Sequence, residues 1–115
     1  MSEDCLFCKI VKGDIPSKEV YCDDDVYAFH DINPAAPSHV LVIPKKHLTD
    51  VTAATSEDEA LMGKLLLRAN DIAKKLNLAE NGFRYVMNTG VDGGQTVYHL
   101  HLHILGGRAL TWPPG

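Results

Sequence analysis

Between Val97 and Ile104 the chain reads Val-Tyr-His-Leu-His-Leu-His-Ile, so three of its six histidines stand at every second position with apolar residues between them. A helix would scatter that pattern around its axis, whereas an extended strand sorts it onto two faces. The spacing predicts a strand with His99, His101 and His103 on one face, roughly 6 to 7 Å apart, and Tyr98, Leu100, Leu102 and Ile104 on the other. The leucine face belongs against a core, and the imidazole face needs an opening. Three imidazoles in register would repel one another when charged, so the row implies chemical work, either metal ligation or base or nucleophile chemistry near neutral pH.

The remaining chain has to supply the sheet and its cover. Its 115 residues are expected to form one domain, 1–115, around a single core. Leu6, Phe7, Ile10 and Val11 recur at helical spacing before Gly13, which predicts a short amphipathic helix with Cys5 and Cys8 on one face. Glu19 to Cys22 and Val26 to His30 read as a hairpin around Asp23-Asp24-Asp25, with Cys22 expected as a small buried hydrophobe. A proline-rich loop from Asp31 to Ser38 leads through His39 into a third strand, Val40 to Ile43, and Lys45-Lys46 reads as its solvated end.

Ser56 and Glu59 have the spacing of a capping box, Ser56 as N-cap, before a long helix. Its apolar stripe runs Leu61, Leu65, Ala69, Ile72, Ala73 and Leu76, interrupted by Arg68. Phe83 to Asn88 predicts a fourth strand, followed by a loop with glycines at 90, 93 and 94. The sum is an α+β domain: a mainly antiparallel sheet, one long helix on one face and a short N-terminal helix.

A net charge of −4 with no clustered basic face argues against nucleic acid as partner. The acidic start and the short aliphatic runs fit neither a signal peptide nor a membrane span. An odd count of three cysteines does not make a secreted disulfide framework, and a cytoplasmic location is expected.

Three sites can be drawn from these residues. The glycine-rich loop, with Gln95 and Thr96 as further donors and Asn88 before it, could bring N–H groups to a phosphate ester beside His101 and His103. A catalytic metal on the whole histidine row fits poorly, because three alternate positions span about 13 Å and a zinc ligand must come within about 2.1 Å. Cys5 and Cys8 could be half of a Cys₂His₂ zinc set, for which His47 and His99 are the histidines least needed by phosphate chemistry, or simply two buried reduced thiols.

His99-Leu100-His101-Leu102-His103-Ile104 resembles the signature of the histidine triad family, His-φ-His-φ-His-φ-φ with φ apolar. The similarity extends over Phe7-Cys8-Lys9-Ile10, Ala28 to Ile32, His39 to His47 and Asp92 to Tyr98, and the Trp112-Pro113-Pro114-Gly115 ending is like that of its nucleotide-binding Hint branch. The resemblance implies a homodimer that binds purine nucleotides and hydrolyses nucleoside phosphoramidates through a nucleotidyl-histidine on His101, with no cofactor required for catalysis. It further implies that His39 and His103 flank the phosphate, that Asp31 holds the ribose, and that Asn88, Gly94, Gln95 and Thr96 meet phosphate and leaving group. Phe7, Ile10, Phe29 and Ile32 would wall the base, and Trp112 would approach the partner's site. Thr96 stands where many Hint proteins have Ser. Bacterial relatives with the cysteine pair imply a structural zinc on Cys5, Cys8, His47 and His99. Two alternatives accompany this expectation: a nucleotide-binding interaction module with incidental hydrolysis, and a dinucleoside polyphosphate hydrolase.

Overall fold

The computed structural model describes residues 4–115. Five strands form one antiparallel sheet: β1 (Glu19–Cys22), β2 (Val26–His30), β3 (Ser38–Pro44), β4 (Phe83–Val86) and β5 (Leu102–Gly106), in the order β1-β2-β3-β5-β4. Helix α1 (Leu6–Lys12) and helix α2 (Glu59–Lys75) cover opposite faces. Because β2 and β3 lie inside the sheet with both faces covered, they read as nearly continuous apolar runs: Val26 to Phe29 and His39 to Pro44 are buried throughout.

The larger core lies under α2. Leu65, Ala69, Ile72 and Ala73 of the helix meet Val26, Ala28, Val40, Val42, Leu102 and Ile104 of the sheet. Small alanines at the contact let the helix approach the strands closely. Arg68, which breaks the stripe, reaches the β1–β2 turn, where its Nε lies 3.3 Å from Asp23 Oδ2; Asp23 also accepts from the Tyr21 hydroxyl and from the N–H groups of Asp25 and Val26. Those donors hold the Asp23 carboxyl well below the usual carboxylate range against the opposing effect of burial.

The second core lies under α1, where Phe7, Cys8 and Ile10 pack on Tyr27, Phe29, Leu41 and Ile43. Gly13 ends this helix at φ 85°, and its N–H and that of Asp14 return to Ile10 and Lys9 carbonyls. Cys5 is the N-cap rather than a helical residue: its Sγ accepts from the Cys8 N–H at 3.3 Å.

Several sequence expectations are corrected. The capping box is set one residue earlier, on Thr55 and Asp58, and it opens a 3₁₀ turn (Ser56–Asp58) that runs into α2. Lys46 is not merely a solvated strand end: its Nζ lies 2.6 Å from the buried Asp58 Oδ1, which lowers the Asp58 carboxyl below its ordinary value. Cys22 is exposed, because β1 is an edge strand and Cys22 its last residue. β4 stops at Val86, two residues short of the expected end.

The histidine row keeps its two faces, with Leu100, Leu102 and Ile104 in the core under α2 and the imidazoles on the side of α1, but its strand is shorter than expected. The strand begins at Leu102, so His99 and His101 precede it and Tyr98 is 48 % exposed. The β3–β5 ladder pairs Val42 with Leu102, and its next step would meet Pro44, which has no N–H to give. The chain bends away there instead. Leu100 N–H donates to Leu48 O, and the Pro44 carbonyl receives the His99 imidazole.

Candidate functional site

The bend divides the three histidines between two places. His103, inside β5 opposite Leu41, lies on the face that carries α1, toward the end that the helix leaves uncovered. His39, in β3 opposite Leu105, reaches it with Nε2 2.8 Å from His103 Nδ1. The Ala35 N–H donates to His39 Nδ1 at 3.0 Å, so the proton of neutral His39 must sit on Nε2 and be donated to His103. His103 Nδ1 is then an acceptor and its Nε2–H a donor. Two hydrogen bonds in series, the first from the main chain and the second between rings, thus set both tautomers.

Burial holds both rings below the ordinary imidazole value of 6.5. It lowers His39 despite the nearby Asp31 carboxylate, and it takes His103 to about 4, with the repulsion that His101 and His39 would exert when protonated adding to the effect. Both are therefore neutral at neutral pH. Asp31 Oδ2 stands 3.4 Å from His39 Nε2, and Oδ1 accepts from the Asn33 N–H, which shapes the loop after β2. Asp31, His39 and His103 could in principle hold a cation, since their donor atoms lie within 4.8 Å of one another. The tautomer chain argues otherwise: His39 Nε2 carries a proton and offers no lone pair.

His101 adjoins this pair. It is buried, its ring centroid 5.0 Å from that of His103 and 5.1 Å from that of Phe7, which meets it edge-on. Its Nδ1 lies 2.7 Å from the His99 carbonyl, to which it can only donate. The proton is thereby fixed on Nδ1 and the lone pair on Nε2, as a nucleophilic imidazole requires. A cleft of about 490 Å³ opens beside His39, lined by Asp31, Ile32, Pro34, Pro37, His30 and Lys18. Ile32 forms its rim at 89 % exposure, while Phe7, Ile10 and Phe29 are buried in the core beneath α1.

The glycine loop is built differently from expectation. Gln95 is buried, its Nε2 donating to the Thr49 and Val97 carbonyls and its Oε1 accepting from the Gly90 N–H. The N–H groups of Gly94 and Gln95 bond back to Val91 and Gly90 carbonyls. The donors expected on Gln95 are therefore used up inside the loop, which they hold rigid, whereas Thr96 is exposed at its end. Asn88 Nδ2 donates to Gly93 O at 2.7 Å and ties the loop to the end of β4.

The other destination is the N-terminus of α1. His99 is fully buried, with Nδ1 3.3 Å from Cys5 Sγ, 3.5 Å from Cys8 Sγ and 3.1 Å from His47 Nδ1; His47 Nδ1 is also 3.4 Å from Cys8 Sγ. One donor atom from each of the four residues lies within 4.8 Å of every other. His99 Nε2–H donates to Pro44 O at 2.8 Å, which leaves Nδ1 as the lone-pair nitrogen facing the thiols. A carbonyl on the far nitrogen is the usual orientation of a metal-ligating imidazole. Burial, then the hydrogen bond and charge of Cys5, push the Cys8 thiol up to about 11, an effect that a bound dication reverses. The set thus fits the donor chemistry of zinc. A single metal on His99, His101 and His103 is ruled out by this division of the row.

Sequence reasoning expects a main-chain carbonyl to fix the tautomer of the nucleophile but cannot say which group does so, because the Ala35 N–H and the carbonyls of Pro44 and His99 have no signature in the letters. It missed Arg108, whose guanidinium donates to Ala35 O at 2.9 Å.

The HIT domain family model matches residues 12–110 of the chain. Over 110 residues the chain is 46 % identical to the purine nucleoside phosphoramidase of Escherichia coli K12, spanning 96 % of this chain and 92 % of that one. An uncharacterized HIT-like protein of Synechocystis is 56 % identical over the full length of both. Among solved structures, a HIT family hydrolase from Legionella pneumophila superposes with a TM-score of 0.96 at 49 % identity, covering 97 % of this chain and all of that one. The histidine triad nucleotide-binding protein of Candida albicans gives 0.83 at 33 % identity, covering 96 % and 83 %. With the triad histidines, the antiparallel sheet and these similarities in agreement, the chain belongs to the HIT domain family.

Proposed function

We propose that this protein hydrolyses purine nucleoside phosphoramidates, releasing AMP or GMP and an amine. The observation that carries the reading is the His101 Nδ1–His99 O hydrogen bond of 2.7 Å, which leaves Nε2 free to attack phosphorus. In the first step a His101 Nε2–P bond forms and the P–N bond breaks, and the amine leaves with a proton. His103 Nε2–H, oriented by His39, is the donor for the phosphate oxygens or the departing nitrogen. In the second step water cleaves the nucleotidyl-histidine, and the imidazole regains its starting tautomer. Asp31, at the mouth of the cleft, is assigned to the ribose hydroxyls, Thr96 to the phosphate and leaving group, and Asn88 and Gly94 to the frame of the loop that presents Thr96. The similarity to a protein named purine nucleoside phosphoramidase supports the choice of substrate.

Cys5, Cys8, His47 and His99 would hold a structural zinc, which when bound supplies a cross-link between the start of α1 and the segments after β3 and before β5. A homodimer is part of the same proposal. The edge strand β4 is half-buried along its length, and the Tyr85 hydroxyl on it is buried without a hydrogen-bond partner among the described residues. Leu66 and Leu67 of α2 and Trp112 are exposed by 50, 60 and 81 %, apolar area that a second copy would cover. Sedimentation at micromolar concentration should give twice the monomer mass.

The deciding experiment is mass spectrometry of protein quenched within milliseconds of mixing with an adenosine phosphoramidate. An acid-sensitive adenylyl group on His101 is expected, together with many turnovers per site. Its appearance on another residue would end the assignment. Affinity for AMP without turnover would favour an interaction module, and faster cleavage of a dinucleoside polyphosphate than of the phosphoramidate would favour a polyphosphate hydrolase.

A further inference from the structure

His99 takes part in two structures at once. Its ring stands in the Cys5–Cys8–His47 set, with Nε2 held by Pro44 O, and its main-chain carbonyl is the acceptor that fixes the tautomer of His101. Ring and carbonyl are both carried by the His99 Cα, and the peptide unit that contains the carbonyl also carries the Leu100 N–H, bonded at 2.6 Å to Leu48 O, just after His47. The direction of the carbonyl therefore depends on where the ring and the segment after β3 are held.

A second path joins the same two places. Cys5 caps α1 and Cys8 lies in its first turn, and Phe7 between them meets the His101 ring edge-on at 5.1 Å with an interplanar angle of 82°. The hydrogen-bond acceptor of His101 and the apolar wall beside it are thus both attached to the four-residue set. Residue types that served only to fill a core would not need two thiols and two ring nitrogens turned toward one point.

We propose that His99 is a positioning residue for His101, and that a zinc ion held by Cys5, Cys8, His47 and His99 fixes the carbonyl and the Phe7 edge that aim the nucleophile. The inference rests on the zinc reading above. None of the four ligand residues is His101, His103 or His39, so the ion would not touch the reacting atoms. What it governs is the alignment of Nε2, to which rates are sensitive: a displacement of about 1 Å can lower them about 100-fold.

Cys5→Ser is the informative variant, because a serine oxygen is a good N-cap acceptor and preserves α1 while removing a thiolate ligand. The full-length protein is compared as purified with zinc, after chelation, and as Cys5→Ser. Metal content, circular dichroism, the Kd for AMP, kcat on an adenosine phosphoramidate and the ¹⁵N spectrum of the His101 ring are measured for each. The expected result is one zinc per chain in the wild type and its loss in the other two samples. With it should go the hydrogen-bonded His101 Nδ1–H signal and about 10-fold or more of kcat, while the Kd for AMP changes less than about 3-fold. Returning zinc should restore the signal and the rate in chelated wild type, but not in Cys5→Ser. Zinc loss that leaves the His101 spectrum and kcat unchanged would overturn the positioning role and leave the metal site standing. Failure to bind zinc at all would overturn the metal reading and this one with it. Loss of the sheet's circular dichroism on chelation would make the set a folding element and also overturn the role.

Discussion

His39 Nε2 donates to His103 Nδ1 across 2.8 Å, and because the Ala35 N–H occupies His39 Nδ1 the direction of that bond is fixed. The pair works as one donor unit, with His103 Nε2–H as its outer end. Replacing His39 with alanine leaves a partly buried ring acceptor unsatisfied and lets His103 adopt either tautomer. The expected loss in kcat/KM is roughly 10- to 100-fold, the equivalent of about 1.4 to 2.7 kcal/mol in the transition state, with the fold retained. Steady-state kinetics beside circular dichroism would check it, and an unchanged kcat/KM would remove His39 from the site.

The same two rings make stability depend on pH. Burial depresses both, His103 to about 4, whereas in the unfolded chain each returns to the ordinary 6.5. Between those values the unfolded chain binds more protons than the folded one, so stability is full above about pH 6.5 and declines as the pH falls toward 4. The depressed carboxyls of Asp23 and Asp58 titrate lower and extend the loss to more acid solution. Urea unfolding at pH 7.5, 6.0 and 4.5 should show a midpoint that falls at each step, and replacing His103 with asparagine should lessen the fall, the remainder being carried by His39 and by His99, which burial also takes to about 4. A midpoint flat from 7.5 to 4.5 would refute the buried neutral pair.

Helix α2 supplies a test of stability away from the site. The Thr55 side chain and Asp58 cap the turn before it reciprocally, and Asp58 is in turn held by Lys46 at the end of β3. Thr55→Ala removes one half of that arrangement. The expected destabilisation is about 1 kcal/mol, a fall in Tm of about 4 °C for a chain of this size, with kcat unchanged. Calorimetry would measure it, and a shift below half a degree would show that the turn is held by Asp58 and Lys46 alone.

How far the letters carried the structure differs from one residue to the next. The hairpin Glu19 to His30 and the apolar stripe of α2 were legible because local period and turn residues agree with their tertiary surroundings. The histidine row was legible as chemistry and in its two faces, but not in the extent of its strand. Alternation put His99, His101 and His103 on one face, the side of α1 on which they are found, and what keeps His99 and His101 out of the strand is Pro44, 55 residues before His99, whose missing N–H ends a ladder that the row itself cannot reveal. Gln95 shows the same limit: as a letter it is a donor, and only the folded loop shows those donors spent on Thr49 and Val97. Cys22 was misplaced because its burial depends on strand order, which local sequence leaves open.

Arg108 gives the last prediction. It lies beyond β5, outside the triad motif, yet its guanidinium donates to the Ala35 carbonyl at 2.9 Å and to Ala109 O at 3.0 Å. Beside it Gly107, at φ 92°, sits so close to Pro37 that a Cβ there would come within 2.9 Å of the proline ring. The two residues clamp the loop from Asp31 to Pro37, which lines the cleft and carries the Ala35 N–H that sets the His39 tautomer. Arg108→Ala should therefore loosen the cleft more than it disturbs His101, whose own supports come from His99 and Phe7. An exposed hydrogen bond to a charged donor is worth about 1 to 1.5 kcal/mol, so KM and the Kd for AMP should rise roughly 5- to 10-fold while kcat changes less than about 2-fold. Arg108→Lys keeps the charge but offers a single point donor in place of the planar fork, and it should recover part of the affinity. If kcat fell as far as affinity, the clamp would have to act on the chemistry as well, through the Ala35 N–H on the His39–His103 pair or on the nucleophile itself, and the separation of the two halves of the site would be wrong.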